Sequence, residues 1–163
     1  MKVQISIATD RRRGLWAYEL SRFTPKGRQT IRNAGSLPHA HAHTLAIVAI
    51  TSALRSISVQ AHRDMVAEGR TAKPTINVVT LDESLADAID TASKAPTTPL
   101  RAGRNFIDAF TKQSRRFDLR IEAEPDNNRL RALIQWARQH LPDPRGILAA
   151  EAVFAPRVTS ALA

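Results

Sequence analysis

Three histidines fall within five residues in the stretch SLPHAHAHTLAIVAI (36–50), at His39, His41 and His43. Imidazole nitrogens are zinc ligands, so the spacing raises a metal site first. As an extended segment the three rings would share a face and could offer three nitrogens to Zn²⁺. As a helix, His39 and His43 form an i,i+4 pair and His41 turns away. The third use is as polar residues at a helix start, facing phosphate or water. Ser36 can cap a helix and Pro38 is tolerated in its first turn, which favours the helix and weakens the three-nitrogen site. The chain has no cysteine, which excludes disulfides, thiolate metal sites and a cysteine nucleophile.

The second chemistry is written in arginine. Lys+Arg number 24 against 15 Asp+Glu, a formal net charge of +9. A guanidinium's planar fork suits phosphate, so the leading partner is a polyanion, most often nucleic acid. The basic residues come in groups: Arg11, Arg12 and Arg13 together, then Arg101, Arg104, Lys112, Arg115 and Arg116, then Arg129 and Arg131. The competing reading is a solvated basic rim without a partner.

The elements that must position these groups follow from hydrophobic periodicity. Residues 2–9 alternate, with Val3, Ile5 and Ile7 on one face, and the strand ends at Asp10. LWAYELSRF (15–23) is a second strand, TPKGR (24–28) a hairpin turn, and QTIRNAGSL (29–37) a third strand weakened by Asn33 and Gly35. Trp16 and Tyr18 are expected in the core, with base stacking on an open sheet as the alternative. A buried helix is expected over 38–57, with 58–69 continuing it or forming another. TINVVTLDES (75–84) is a strand running into Asp82, followed by a helix over 84–94, a loop, and a basic amphipathic helix over 104–116. FDLRIEAE (117–124) is a fifth strand, and 125–141 becomes a helix in which Trp136 packs with Leu130, Leu133 and Ile134. His62 and His140 read as ordinary surface or helix-end residues. The order is an antiparallel meander followed by strands linked by helices, which predicts an α/β fold: a five-stranded mixed sheet flanked by helices. The 43% hydrophobic fraction is that of a globular chain. With no run of about 18 apolar residues and no signal-peptide core, a soluble, cytoplasmic protein is expected.

At this point the sequence resembles the ribonuclease H family, in element order up to about residue 141 and in several local motifs. The family's first strand ends in Thr-Asp-Gly; here it is ATDR with Asp10. Its fourth strand ends in an Asp-Ser turn into a helix; here it is TLDES with Asp82. AHTLAIVAITSAL (42–54) echoes the family's first helix except for its glutamate, and NNRLRALI (127–134) keeps Asn127 and Leu133 of the last. The resemblance implies one ribonuclease H-like domain over 1–145, followed by a short helix and tail over 146–163.

The family's reaction is metal-assisted phosphodiester hydrolysis, with two hard cations ~4 Å apart held by carboxylates. By resemblance Asp10 and Asp82 fill two of four carboxylate roles. The second role falls at Ala42 or His43, and residues 20–63 contain no Asp or Glu. The fourth falls near Arg131, and 127–142 are likewise empty of acids. Glu83, Glu124 and Asp126 are the nearest substitutes. The expectation is a ribonuclease H-like protein with impaired catalysis that binds nucleic acid, RNA–DNA hybrid or duplex. Asp10 and Asp82 would be remnant carboxylates, holding at most one Mg²⁺ or Mn²⁺ with His43 beside them; Zn²⁺ is not the metal expected. Arg11, Arg12, Arg13, Arg101, Arg104, Arg115, Arg116 and Arg131 would contact phosphate. Two alternatives stand beside it. One is a divergent Mg²⁺- or Mn²⁺-dependent endonuclease using substitute ligands. The other is a protein-interaction scaffold that oligomerises through GILAAEAVF (146–154).

Overall fold

The structure is a computed structural model and describes residues 2–94 and 100–141. The segment 146–154, expected as a short helix and oligomerisation site, lies outside the described residues, as does most of the loop at 95–99.

Strands β1 (Lys2–Asp10), β2 (Leu15–Thr24) and β3 (Gly27–Ser36) form the antiparallel meander, and β4 (Thr75–Thr80) and β5 (Asp118–Ala123) add parallel to β1, giving the order β3-β2-β1-β4-β5. Side chains alternate between faces, so register fixes what each face carries. Val3, Ile5, Ile7, Trp16, Tyr18, Leu20, Ile31, Ile76 and Val78 form one core face. Trp16 and Tyr18 are fully buried there and present no ring for base stacking. Asn33 and Gly35, which made β3 read as weak, stand opposite Tyr18 and Trp16 in the register. They leave room for the two rings, and the Asn33 amide donates to the Tyr18 hydroxyl at 3.4 Å.

Helix α1 (Ala42–Ser56) packs on this face with α3 (Glu83–Lys94) and α4 (Arg104–Ser114). It begins later than its sequence suggests. Ser36 ends β3 instead of capping α1, and His39 adopts a left-handed backbone, φ 64°. His41 takes the cap, its Nδ1 accepting from the His43 N–H at 3.1 Å. Residues 58–69 form a separate helix, α2 (Val59–Gly69), capped by Ser58 and bent 85° from α1. Among the described residues no single helix is long and apolar enough to cross a membrane.

The opposite face is read in rows across β1, β2 and β3: Lys2/Phe23/Arg28, Gln4/Ser21/Thr30, Ser6/Glu19/Arg32, Ala8/Ala17/Ala34 and Asp10/Leu15/Ser36. The three abreast alanines make a flat seat, on which α5 (Asn128–His140) lays Leu133, Ile134 and Ala137. Asn127, not Asp126, caps α5, accepting from the N–H groups of Arg129 at 2.9 Å and Leu130 at 3.2 Å. Trp136 packs at the rim of this second cluster, half-buried.

Candidate functional site

Asp10 ends β1, and Asp82 lies just beyond Thr80, the last residue of the neighbouring parallel β4, so both carboxylates sit at one pole of the sheet. Their surroundings differ. Asp82 caps α3, its Oδ1 accepting from the Leu85 N–H at 3.1 Å. Asp10 is nearly buried, 9% exposed, and its Oδ2 accepts from Nε of Arg138 at 2.8 Å. Its Oδ1 accepts from the Arg13 N–H at 3.1 Å. Burial by itself would raise this carboxyl; the bonds from Arg138 and Arg13 and their positive charges outweigh it and hold Asp10 below the ordinary aspartate value.

The turn from β1 to β2 presents Arg11 and Arg12 to solvent, with Arg13 half-buried. Gly14 closes it at φ +65°, and a Cβ there would meet the Leu37 carbonyl oxygen at 2.7 Å, so the position demands glycine. The Leu37 N–H in turn donates to the Gly14 carbonyl at 2.7 Å, tying the turn to the segment that leads into the histidines.

The start of α1 completes the pole. The Arg101 N–H donates to Nδ1 of His43 at 3.0 Å, and the Thr44 hydroxyl donates to the Arg101 carbonyl at 3.2 Å, a two-point clamp on this loop. Burial, then the charges of His41 and Arg101, push the His43 imidazole below its ordinary value against the opposing pull of Asp82. Burial, Arg11 and Arg101 do the same to His41. Both shifts favour the neutral imidazole, which suits the acceptor role of each Nδ1. Arg11, Arg101, His41, His43 and Asp82 thus share one electrostatic neighbourhood with a positive excess.

Not every expected residue is here. Arg104, exposed, starts α4 after Arg101 and lies 4.0 Å from Asp108. Arg115 and Arg116 follow the far end of that helix, beside the first residues of β5, at the opposite pole. There Nε2 of His62 meets the Arg116 carbonyl at 3.1 Å. Arg131 is exposed and donates from Nη2 to the Pro125 carbonyl at 3.0 Å. The α5 guanidinium that does reach Asp10 is Arg138, which the sequence reading did not single out; it lies seven residues, or two turns, beyond Arg131.

A second residue that was missed, the carboxylate Glu19 of β2, is buried to 1% exposure and meets Arg28 at 3.0 Å, Arg32 at 2.7 Å and Arg129 at 2.6 Å. Burial would raise it, but the bonds and charges of Arg129 and Arg32 hold it below the ordinary glutamate value. The available signal was an acid in the apolar run LWAYEL, directly between Tyr18 and Leu20.

A pair of hard cations needs several converging oxygen ligands. Asp10, Asp82 and His43 do not come together as such a group: among the described residues no three His, Asp or Glu side chains could hold a metal ion. The same holds for His39, His41 and His43. Among the substitutes, Glu83 lies exposed in the first turn of α3, and Glu124 accepts from the Asn127 amide at 2.6 Å. The residues present do not fit a two-cation clamp, and a guanidinium already occupies Asp10.

No family model matches the chain, and no curated protein matches its sequence. Solved structures do match. Ribonuclease H1 from the halophilic archaeon Halobacterium salinarum NRC-1 is 16% identical with a TM-score of 0.51, over 86% of this chain and the whole of that one. LC9-RNase H1, a type 1 RNase H with the type 2 active-site motif, is 10% identical with a TM-score of 0.56, over all of this chain and 78% of that one. Foamy viral protease-reverse transcriptase in complex with RNA/DNA hybrid is 13% identical with a TM-score of 0.48, over 84% of this chain and 19% of that one. A mixed sheet in the order β3-β2-β1-β4-β5, α1 and α3 on one face and α5 on the other, with two solved ribonucleases H that superpose on it, gives this chain the ribonuclease H-like fold.

Proposed function

We propose that the chain binds nucleic acid, an RNA–DNA hybrid or duplex, through the backbone phosphates at the Asp10–Asp82 pole, and that hydrolysis there is impaired. The observation that carries this reading is the Arg138–Asp10 pair: a fixed positive charge stands on the buried carboxylate that a metal-dependent nuclease of this fold would use. Around it Arg11, Arg12 and Arg101 are exposed, so the pole is disposed toward an anion. The second ribonuclease H that superposes over the whole chain supports the fold's suitability for a nucleic-acid ligand.

Binding by phosphate contact releases condensed counterions. If Arg11, Arg12, Arg13 and Arg101 each neutralise one phosphate, affinity falls roughly 100-fold between 50 and 200 mM salt. The test is fluorescence anisotropy of a labelled RNA–DNA hybrid across that range, beside a cleavage gel with Mg²⁺ or Mn²⁺ for wild type and Asp10→Asn. The expected result is salt-steep binding, weakened in Arg11→Glu/Arg12→Glu, with intact hybrid in every lane. Salt-independent binding would overturn the phosphate reading, and cleavage lost in Asp10→Asn would overturn impairment.

A further inference from the structure

Helix α5 covers only part of its sheet face. Beyond the alanine row, α5 reaches the Ser6/Glu19/Arg32 row through Arg129, and the buried Glu19 and Ser21 lie beneath a layer of basic side chains. Phe23 has Lys2 Nζ at 5.7 Å and Arg28 Cζ at 5.2 Å from its ring centroid. Arg28 and Arg32 both reach Glu19, and Arg32 continues to Trp136, with Cζ 5.9 Å from that ring. His140 stands 5.0 Å beyond Trp136. The side chains thus form a ladder of cations interspersed with aromatic rings: Lys2, Phe23, Arg28, Arg32, Trp136.

Charge is the telling feature. One carboxylate, Glu19, needs one guanidinium for neutrality, yet three converge on it. With Lys2, this stretch holds four cations against one acid. Each arginine keeps a wet side, with side-chain exposures of 30% for Arg28, 35% for Arg32 and 45% for Arg129. Burial, and then the charges of Arg129 and Arg32 against the opposing pull of Glu19, hold Arg28 below the ordinary arginine value. An anion laid over the rows would relieve that repulsion. The same face on β5 carries Asp118, Arg120 and Glu122, with Arg120 3.7 Å from Asp118, so it bears a net negative charge and the favourable track is confined to β1, β2 and β3. Rings that are half-buried, flat and interleaved with arginines suit unpaired bases, since every base has a face to stack, while the guanidiniums meet the phosphates.

We infer that this open sheet face binds a single-stranded nucleic acid along the Lys2–Phe23–Arg28–Arg32–Trp136 ladder, as a surface additional to the pole. The track runs toward the pole, because Trp136 and Arg138 share the α5 segment that reaches Asp10. Along β3 alone Arg28 and Arg32 are about 13 Å apart, enough for a strand of several nucleotides to follow the ladder.

The test uses the full chain and the oligodeoxynucleotide dT20, by anisotropy of its fluorescein-labelled form and by quenching of protein fluorescence with the unlabelled form. The chain has two tryptophans, and Trp16 is fully buried, so quenching reports on Trp136. Phe23→Ala should weaken dT20 binding about 5-fold or more, the range of one lost stacking partner. Thr30→Glu sets an acid between Arg28 and Arg32 without removing a Glu19 partner, and should weaken it at least about tenfold, because the new carboxylate repels phosphate and offsets a flanking guanidinium. Circular dichroism and the melting temperature identify folded variants, and Phe23→Tyr should keep the binding. Arg11→Glu/Arg12→Glu should leave dT20 affinity near wild type while weakening the hybrid. Wild-type affinity for dT20 in folded Phe23→Ala and Thr30→Glu overturns the inference, as does loss of dT20 binding in the Arg11/Arg12 variant alone. Hybrid binding is measured separately, so either failure leaves the reading of the pole to stand or fall on its own.

Discussion

Replacing Glu19 by glutamine keeps the size of the side chain and removes only its charge. In wild type the carboxylate is 1% exposed and bound by Arg28, Arg32 and Arg129. Removing one member of a buried ion pair costs about 3–5 kcal/mol, because the partner charge is left uncompensated. Here the partners are a third to a half exposed, so water screens part of that cost, and about 2–3 kcal/mol is the expected loss. For a domain of this size that lowers the melting temperature by about 6–12 °C. Salt separates charge from shape. In Glu19→Gln only the mutual repulsion of three guanidiniums remains, and raising ionic strength to about 1 M shrinks the screening length to ~3 Å. The deficit should therefore narrow as NaCl rises. A double variant sharpens the test: Arg129→Ala should destabilise wild type but be neutral or stabilising in the Glu19→Gln background, because it then removes a repelling charge. Thermal unfolding by circular dichroism reads all of these. A deficit that salt does not change, or an Arg129→Ala effect of the same sign in both backgrounds, would refute the electrostatic account and leave packing as the cause.

Two further outcomes follow from the same geometry. Asp10 and Glu19 are both held below their ordinary values, so each contributes stability that is present above its unfolded value, about pH 4, and is lost as pH falls through its lower native value. Acid titration of unfolding should show that loss, and Arg138→Ala should cost about 1–2 kcal/mol at pH 7 and nothing once Asp10 is protonated; an unchanged acid limb in Arg138→Ala would contradict the pairing. Gly14→Ala combines a left-handed backbone with a Cβ 2.7 Å from the Leu37 carbonyl oxygen, and should lower stability by about 2–3 kcal/mol in a denaturant melt; a wild-type midpoint would show that the turn adapts.

Much of the fold was legible because periodicity is a local signal. Alternation in 2–9 and 15–23 marked strands, and the order of elements carried the resemblance. What failed was what depends on partners across space. Ser36 looked like a cap because it precedes an apolar run, yet pairing with Leu15 holds it in β3 and passes the cap to His41. Asn33 and Gly35 read as breakers, whereas their smallness is what lets Trp16 and Tyr18 lie opposite. The missing acids of 20–63 and 127–142 were plain in the sequence. The arginine that stands on Asp10 was not, because Arg131 and Arg138 are equivalent in one dimension and only docking on the alanine row decides which faces the sheet. Nor could one dimension show that Arg115 and Arg116 leave the pole that Arg101 joins.

The two ion-paired carboxylates explain each other. Helix α5 is fastened to the sheet at both ends of the alanine row, by Arg129 on Glu19 and by Arg138 on Asp10, with Leu133, Ile134 and Ala137 seated between. A cation binding to Asp10 would have to displace Arg138, and so would compete with the docking of the helix that covers it. In this chain both oxygens of Asp10 already have donors, Arg138 on one and the Arg13 N–H on the other. With Arg138 on Asp10, the exposed charges of Arg11, Arg12 and Arg101 leave this end of the sheet with a positive excess.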